Sequence, residues 1–411
     1  LLMFKRKHSP ENEFVVELIK TTLGNGNREQ LRLYLANSNP QILNNQIRRH
    51  GLGAYFYKSV TEKDFPLEIP VQLFDAWKQY SAQIALQNTL IEQEGAAIFK
   101  YLNKQDIEYT LLKGFAYAEE LYGSKWIRPV GDLDILISRE NYPQIKEYLF
   151  QNGYTFTIDS DNPELLEQMV ELNETFHNQM HFSRPIGVCE VHIDVHWDIA
   201  DLIQEGSPLR QIYPLNDYNW FDRSSTVRLG GVDVNCLNRE MHFIHIVYHY
   251  ALGHQFAGIK WFLDLCLFSV KLGPQLDWSF ISDVISCRAC RKLFAITGRM
   301  VADIAGVQHD GIMKWCELYP GAIKALEYSY YHSRLFKGRT HSGTYISLIL
   351  LSLSMADKWR MLYYIFFNPE AIPEWRMTGK KVFPMLQPLY IIYWGLIEVM
   401  TKGKKRRKSA L

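Results

Sequence analysis

Two runs of one stretch decide the reading of this chain: Leu111-Leu-Lys-Gly-Phe-Ala-Tyr-Ala-Glu-Glu-Leu-Tyr122 and, after a short connector, Arg128-Pro-Val-Gly-Asp-Leu-Asp-Ile-Leu-Ile-Ser138. The first reads as a short apolar strand followed by a turn at Gly114 and a helix. The second reads as a loop feeding a strand that carries Asp132 and Asp134. Strand side chains alternate between faces, so Asp132 and Asp134 are expected on one face, with Leu133 and Ile135 on the other. Two carboxylates on one face form a platform for a divalent metal.

Upstream, apolar residues recur at helical spacing from residue 14 to about 63, with breaks at residues 24–27 and at Asn39-Pro40. Pro70 then opens a long helix in which Trp77, Ile84, Ile91 and Ile98 recur every seven residues, so these four make one buried stripe. Downstream, residues 140–152 read as a helix stopping at Gly153, residues 154–158 as a strand, and residues 159–174 as a loop and short helix. After a Pro-Ile-Gly turn comes Glu190-Val-His-Ile-Asp-Val-His-Trp197, the most regular alternation in the chain. It sets Glu190, His192, Asp194 and His196 on one face.

From Asn238 the pattern turns helical. His242, His245 and His249 stand at i, i+3 and i+7 on one helical face, ahead of a Gly-His-Gln-Phe-Ala-Gly break and a further helix with Lys260, Trp261 and Asp264. The expected division is an N-terminal helical region (1–106), an α+β core with the carboxylates (107–237), and a C-terminal helical lobe ending in a basic tail (238–411).

If the strands of Asp134 and Asp194 are neighbours, three carboxylates converge near the N-terminus of the helix after Gly114. Such a cluster repels itself unless cations lie within it. Mg²⁺ suits carboxylates combined with phosphate oxygens. Two such ions, about 3.5–4 Å apart, clamp the attacking and leaving oxygens of a phosphoryl displacement. On spacing alone, either Glu190 or Asp194 could be the third carboxylate.

The set Leu-Lys-Gly, Leu-Tyr, Arg-Pro-x-Gly-Asp-x-Asp-Ile-Leu-Ile, Asn-Gly-Tyr and Asp-Val-His-Trp resembles a nucleotidyltransferase family within the DNA polymerase β-like superfamily. The resemblance extends to Arg-Arg-His-Gly-Leu and Leu-Gln-Asn upstream, and to His249, Lys260, Trp261 and Asp264 downstream. It implies a polymerase-β-like α+β core, a mixed sheet with helices, flanked by helices. Asp132, Asp134 and Asp194 would be the catalytic and metal-holding carboxylates of a two-ion Mg²⁺ site, with Asp194 orienting the acceptor hydroxyl. Gly114 would let the backbone approach the triphosphate. The implied reaction transfers a nucleoside monophosphate from an NTP, expected to be ATP, to a small-molecule, sugar or peptide acceptor, releasing pyrophosphate. One departure stands out: the wider superfamily places Ser or Gly after this glycine, and here it is Phe115. Phosphate holding then leans on backbone N–H groups, metal, Lys113 and Arg128, the last facing the leaving pyrophosphate. Glu190, His192, His196, His249 and Asp264 are expected around the acceptor or behind the carboxylates.

Two other classes compete. One is a catalytically silent nucleotidyltransferase fold that binds a nucleotide or a protein. The other is a histidine-based metal hydrolase centred on His242, His245 and His249, although no HExxH spacing accompanies them. The formal charge of +1, from 45 basic and 44 acidic residues, gives no push toward nucleic acid as a specific partner. Six scattered cysteines lack the spacing of a secreted disulfide framework and suggest a reducing compartment. The Cys287/Cys290 pair alone is read as structural or incidental. No signal peptide is recognisable, so cytoplasmic residence is the expectation. The apolar segment 382–400 is interrupted by Pro384, Gln387, Pro388 and Glu398, and reads as a core or surface helix whose basic tail could touch a membrane peripherally.

Overall fold

A computed structural model of the chain describes residues 9–62, 65, 67–157, 163–187, 189–199, 210, 212–214, 218–337 and 354–367. The segment 382–400, its basic tail and the apolar run 345–353 lie outside the described residues.

Four short helices open the chain, α1 (Pro10–Thr22), α2 (Arg28–Asn37), α3 (Pro40–Arg49) and α4 (Gly53–Thr61). The breaks between them are written in caps: Asn27 and Asn39 each accept two backbone N–H groups, and Pro10 and Pro40 start their helices. Helix α5 (Val71–Lys104) follows Pro70 and buries Trp77, Ile84, Ile91 and Ile98, as the seven-residue stripe requires.

The sheet begins with β1 (Tyr109–Leu111), which hands over through Gly114 to α6 (Phe115–Tyr122). Next come β2 (Leu133–Ile137), α7 (Tyr142–Gln151), β3 (Thr155–Phe156), α8 (Pro163–Phe176), β4 (Gln179–Ile186) and β5 (Cys189–His196). A hairpin, β6 (Ser224–Leu229) and β7 (Val232–Leu237), turns on Gly230 and Gly231, both at positive φ. The seven strands are ordered β3-β4-β5-β2-β1-β7-β6. Strand β2 lies at the centre, antiparallel to β1 and parallel to β5, and its register sets Asp134 opposite Asp194. Asp132 differs from expectation: β2 starts at Leu133, which leaves Asp132 half-buried at the lip of the sheet.

The helical part runs through α9 (Arg239–Tyr248), a π-helical turn (His249–Gly253), α10 (Ile259–Lys271), α11 (Trp278–Val284), α12 (Arg288–Ala305), α13 (Asp310–Glu317), α14 (Ala325–His332) and α15 (Met355–Phe367). Cys287 and Cys290 are joined in a disulfide at the start of α12, and the other four cysteines are free. One buried apolar cluster runs from Phe14 through β1, β2 and β5 to Leu335. Among the described residues, no helix is long and apolar enough to cross a membrane.

Candidate active site

The parallel pairing of β2 and β5 puts two carboxylates on one face in register. Asp134 is 2 % exposed, and its Oδ1 takes the ammonium of Lys113 at 2.7 Å and His196 Nε2 at 2.9 Å. Asp194 is also buried; its Oδ1 meets His181 Nδ1 at 2.8 Å, and its Oδ2 accepts from Gln179 Nε2 at 3.3 Å. His181 faces Asp194 because the two are cross-strand partners of β4 and β5. Atoms of Asp134, Asp194 and His196 suited to metal ligation all lie within 4.8 Å of one another.

The electrostatics follow from burial and neighbours. Burial alone would raise the Asp134 carboxyl, but Lys113 and His196 outweigh it and hold it well below the usual carboxylate range. Asp132 is pushed up, first by the charge of Asp134 and then by burial, with Lys113 opposing. Lys113 itself is lowered by burial but raised more by Asp134, Asp132 and Asp194, so its ammonium is held firmly. One lysine therefore serves three carboxylates.

The turn after Lys113 needs glycine. Gly114 has φ +57° and ψ −114°, a conformation closed to side-chain-bearing residues, and it caps α6 with no side chain between the helix N-terminus and the space in front of it. A cavity of about 550 Å³ opens there, between the sheet and the helical part. From the sheet side it is lined by Lys113, Gly114, Arg128, Asp132, His181, His192, Asp194 and His196; from the helical side by His245, Tyr248, His249, His254, Lys260 and Trp261. Six of the chain's 13 histidines therefore meet in one cavity. Burial and the charge of Lys113 drive His245 and His249 well below the ordinary imidazole value, which favours the neutral ring at both.

The helical wall is built with strain. The π turn at His249 redirects the chain after α9, and Gln255 and Phe256 follow with φ of 57° and 58°. Arg334, which is buried, holds this loop through Nε to Gln255 O at 2.7 Å and Nη2 to Gln255 Oε1 at 2.8 Å. Tyr250 donates to Phe256 O at 3.0 Å, and Gly258 N donates to Leu335 O at 3.1 Å. So fixed, the loop presents His249 and His254, whose Nε2 atoms are 2.9 Å apart, and Trp261, on which His254 stacks.

The sequence model of a family described as "Uncharacterised nucleotidyltransferase" matches residues 37–306. The chain belongs to this nucleotidyltransferase family. No curated protein and no solved structure matches it.

In this nucleotidyltransferase, the residues singled out from sequence fall into three groups. Lys113, Gly114, Asp132, Asp194, His192, His196 and His249 line the cavity, and Asp134 stands directly behind Lys113. Arg128 also lines it, yet its Nε and Nη2 are committed to Asp264 at 2.8–3.1 Å, in a pair joined by the hydroxyls of Tyr117 and Tyr122. The expected pyrophosphate-facing Arg128 is thus largely a clamp between the loop before β2 and helix α10, and Asp264 lies behind the cavity wall. Glu190 is not among the residues that line the cavity: it is exposed, with its carboxylate 3.7 Å from His192 Nε2, whereas Asp194 lines it. The histidine stripe does not converge. His242 packs edge-on against Tyr117, away from the cavity that His245 and His249 line, and among the described residues no group of three metal-suited side chains includes it. His181, Gln179, Lys260, His254 and Trp261 were not singled out as site residues; Gln179 and His181 alternate onto the same sheet face as Asp194, a signal readable once β4 is paired with β5.

Proposed function

We propose that this chain is a Mg²⁺-dependent nucleotidyltransferase that moves a nucleoside monophosphate from an NTP, with ATP the expected donor, to a hydroxyl of a small-molecule, sugar or peptide acceptor. The observation that carries this reading is the register of Asp134 beside Asp194 in front of the Gly114 turn. The donor set suits a divalent cation: carboxylate oxygens of Asp134 and Asp194 lie within 4.8 Å of each other and of a His196 nitrogen, and Asp132, outside that group, is a carboxyl pushed up by the charge of Asp134. Asp132, Asp134 and Asp194 would hold the ion, which when bound supplies charge stabilisation for the departing pyrophosphate.

The chain's own groups take the remaining roles. Asp194, steadied by His181 and Gln179, orients the acceptor hydroxyl and takes its proton as the oxygen attacks the α-phosphorus. The bond from the α-phosphorus to the bridging oxygen breaks, and pyrophosphate leaves. Lys260 lines the cavity with no carboxylate in salt-bridge contact among the described residues, so it is the cation disposed to meet donor phosphate. The helix N-terminus at Gly114 adds backbone N–H groups.

The test is pyrophosphate release and transfer of label from α-labelled NTPs, run with Mg²⁺ over a panel of hydroxyl-bearing acceptors. Asp134→Ala should abolish both. Nucleotide binding that is indifferent to Mg²⁺ and to Asp134→Ala, with no turnover on any acceptor, would instead support the silent binding module.

A further inference from the structure

Resting on the nucleotidyltransferase reading, we infer that Lys113 supplies one of the two cations of the carboxylate site, so that the working enzyme takes up a single divalent ion. The argument is one of ligand capacity. A carboxylate oxygen offers about two lone-pair sites. Asp134 Oδ1 already receives the Lys113 ammonium at 2.7 Å and His196 Nε2 at 2.9 Å, which fills it. For Asp134 to bridge two ions with one on each oxygen, at least one of these donors would have to leave. With both in place, an arrangement of one ion on each oxygen is closed, and Oδ2 is the oxygen left for an ion.

Lys113 is also poorly placed to leave. Its backbone is pinned on both sides, since Leu112 N donates to Asp134 O at 3.0 Å and Ala116 N donates to Lys113 O at 3.1 Å across the Gly114 turn. Its side chain is only 12 % exposed, and its ammonium sits in the field of Asp132, Asp134 and Asp194 together. An ammonium so enclosed does the work of an ion: it neutralises the bridging carboxylate and presents positive charge where the phosphate must come. The lysine stands directly before Gly114 and Phe115, neither of which brings a side-chain hydrogen-bond donor to this turn. The fixed ammonium of Lys113 is the charged donor there.

The measurement is the number of Mn²⁺ ions bound per full-length chain in the presence of a non-hydrolysable ATP analogue, counted by the loss of the free-ion electron paramagnetic resonance signal. We expect one ion in the wild type and two in Lys113→Gln, whose amide keeps a hydrogen bond to Asp134 but drops the charge. Two ions in the wild type, or one in a folded Lys113→Gln, overturns the inference while leaving the nucleotidyltransferase reading intact. An absence of Mn²⁺-linked nucleotide binding in the wild type sinks both. Should Lys113→Gln fail to fold, the wild type decides by itself through ¹⁵N-lysine spectra. An ammonium resonance of Lys113 that stays protected from solvent exchange on saturation with Mg²⁺ and analogue supports the inference, and its loss overturns it.

Discussion

Lys113 and Lys260 face the same cavity and differ in one respect that governs their chemistry. Lys113 has a carboxylate against its ammonium, and its charge is held. Lys260 has none in salt-bridge contact among the described residues; burial first, then the charge of Arg128, lowers it to about 8, with Asp264 and Asp132 opposing and Lys113 adding to the fall. The sign of the pH effect follows. Because the folded-state value lies below that of the unfolded chain, the folded protein binds fewer protons between about 8 and the ordinary lysine value near 10.4, so Lys260 makes stability rise with pH across that window. Donor affinity moves the other way, since phosphate needs the ammonium. Calorimetric titration with a non-hydrolysable ATP analogue should show affinity falling about tenfold as pH is raised from 7 to 9, the worth of one charge-assisted hydrogen bond. In Lys260→Met the dependence should be flat. An unchanged slope in that variant would remove Lys260 from the donor site.

Among elements, the loop between the π turn and α10 is the one whose conformation must be enforced from outside. Its consecutive left-handed residues, Gln255 and Phe256, carry side chains that disfavour that backbone, and the correction comes from Arg334 and Leu335. These two residues lie beyond the 37–306 span of the family match, so the cavity wall depends on a part of the chain that the family model does not cover. Arg334→Ala removes two buried hydrogen bonds to Gln255 and frees the loop to relax. The expected result is a KM for the donor raised about tenfold with a smaller change in kcat, because the groups displaced, His254 and Trp261, line the cavity from the helical wall and not from the strands that carry Asp134 and Asp194. A kcat that falls with KM unchanged would argue against a wall-positioning role. This loop also marks where sequence reading stops. The strands at Asp134 and Asp194 were legible because alternation and a glycine turn are local signals. The meeting of Gln179 and His181 with Asp194, and of Arg334 with Gln255, depends on pairings between distant segments that no local pattern encodes. The β6–β7 hairpin is not among the strands read from the sequence: β6 is polar and mostly exposed, so the turn at Gly230 and Gly231 has apolar alternation on one side only.

At the scale of the molecule, three segments that composition and periodicity distinguish are tied by one buried knot. Asn88, fully buried in the long helix α5, donates to the carbonyls of Lys125 and Arg128 at 2.8 Å and accepts from Val130 N at 3.1 Å. It thereby sets the loop from which Arg128 reaches Asp264 in α10, where Tyr117 and Tyr122 of α6 complete the group. At the far side, α1 meets the end of α12, where Asn25 donates to Ala305 O at 3.5 Å. Removing one partner of a buried ion pair leaves the other charge uncompensated, at a cost of about 3–5 kcal/mol. Asp264→Ala should therefore lower stability by that order. If the continuous apolar core couples the segments, the loss falls on one transition: far-ultraviolet circular dichroism and the fluorescence of the ten tryptophans, which include Trp77, Trp197 and Trp315 in three different segments, should give coincident urea curves in the wild type and in the variant, with the midpoint shifted. A fluorescence curve that separates from the dichroism curve only in Asp264→Ala would show that the pair is what makes the helical part and the sheet unfold together. Separation already in the wild type would mean that the continuous apolar core does not make them a single cooperative unit.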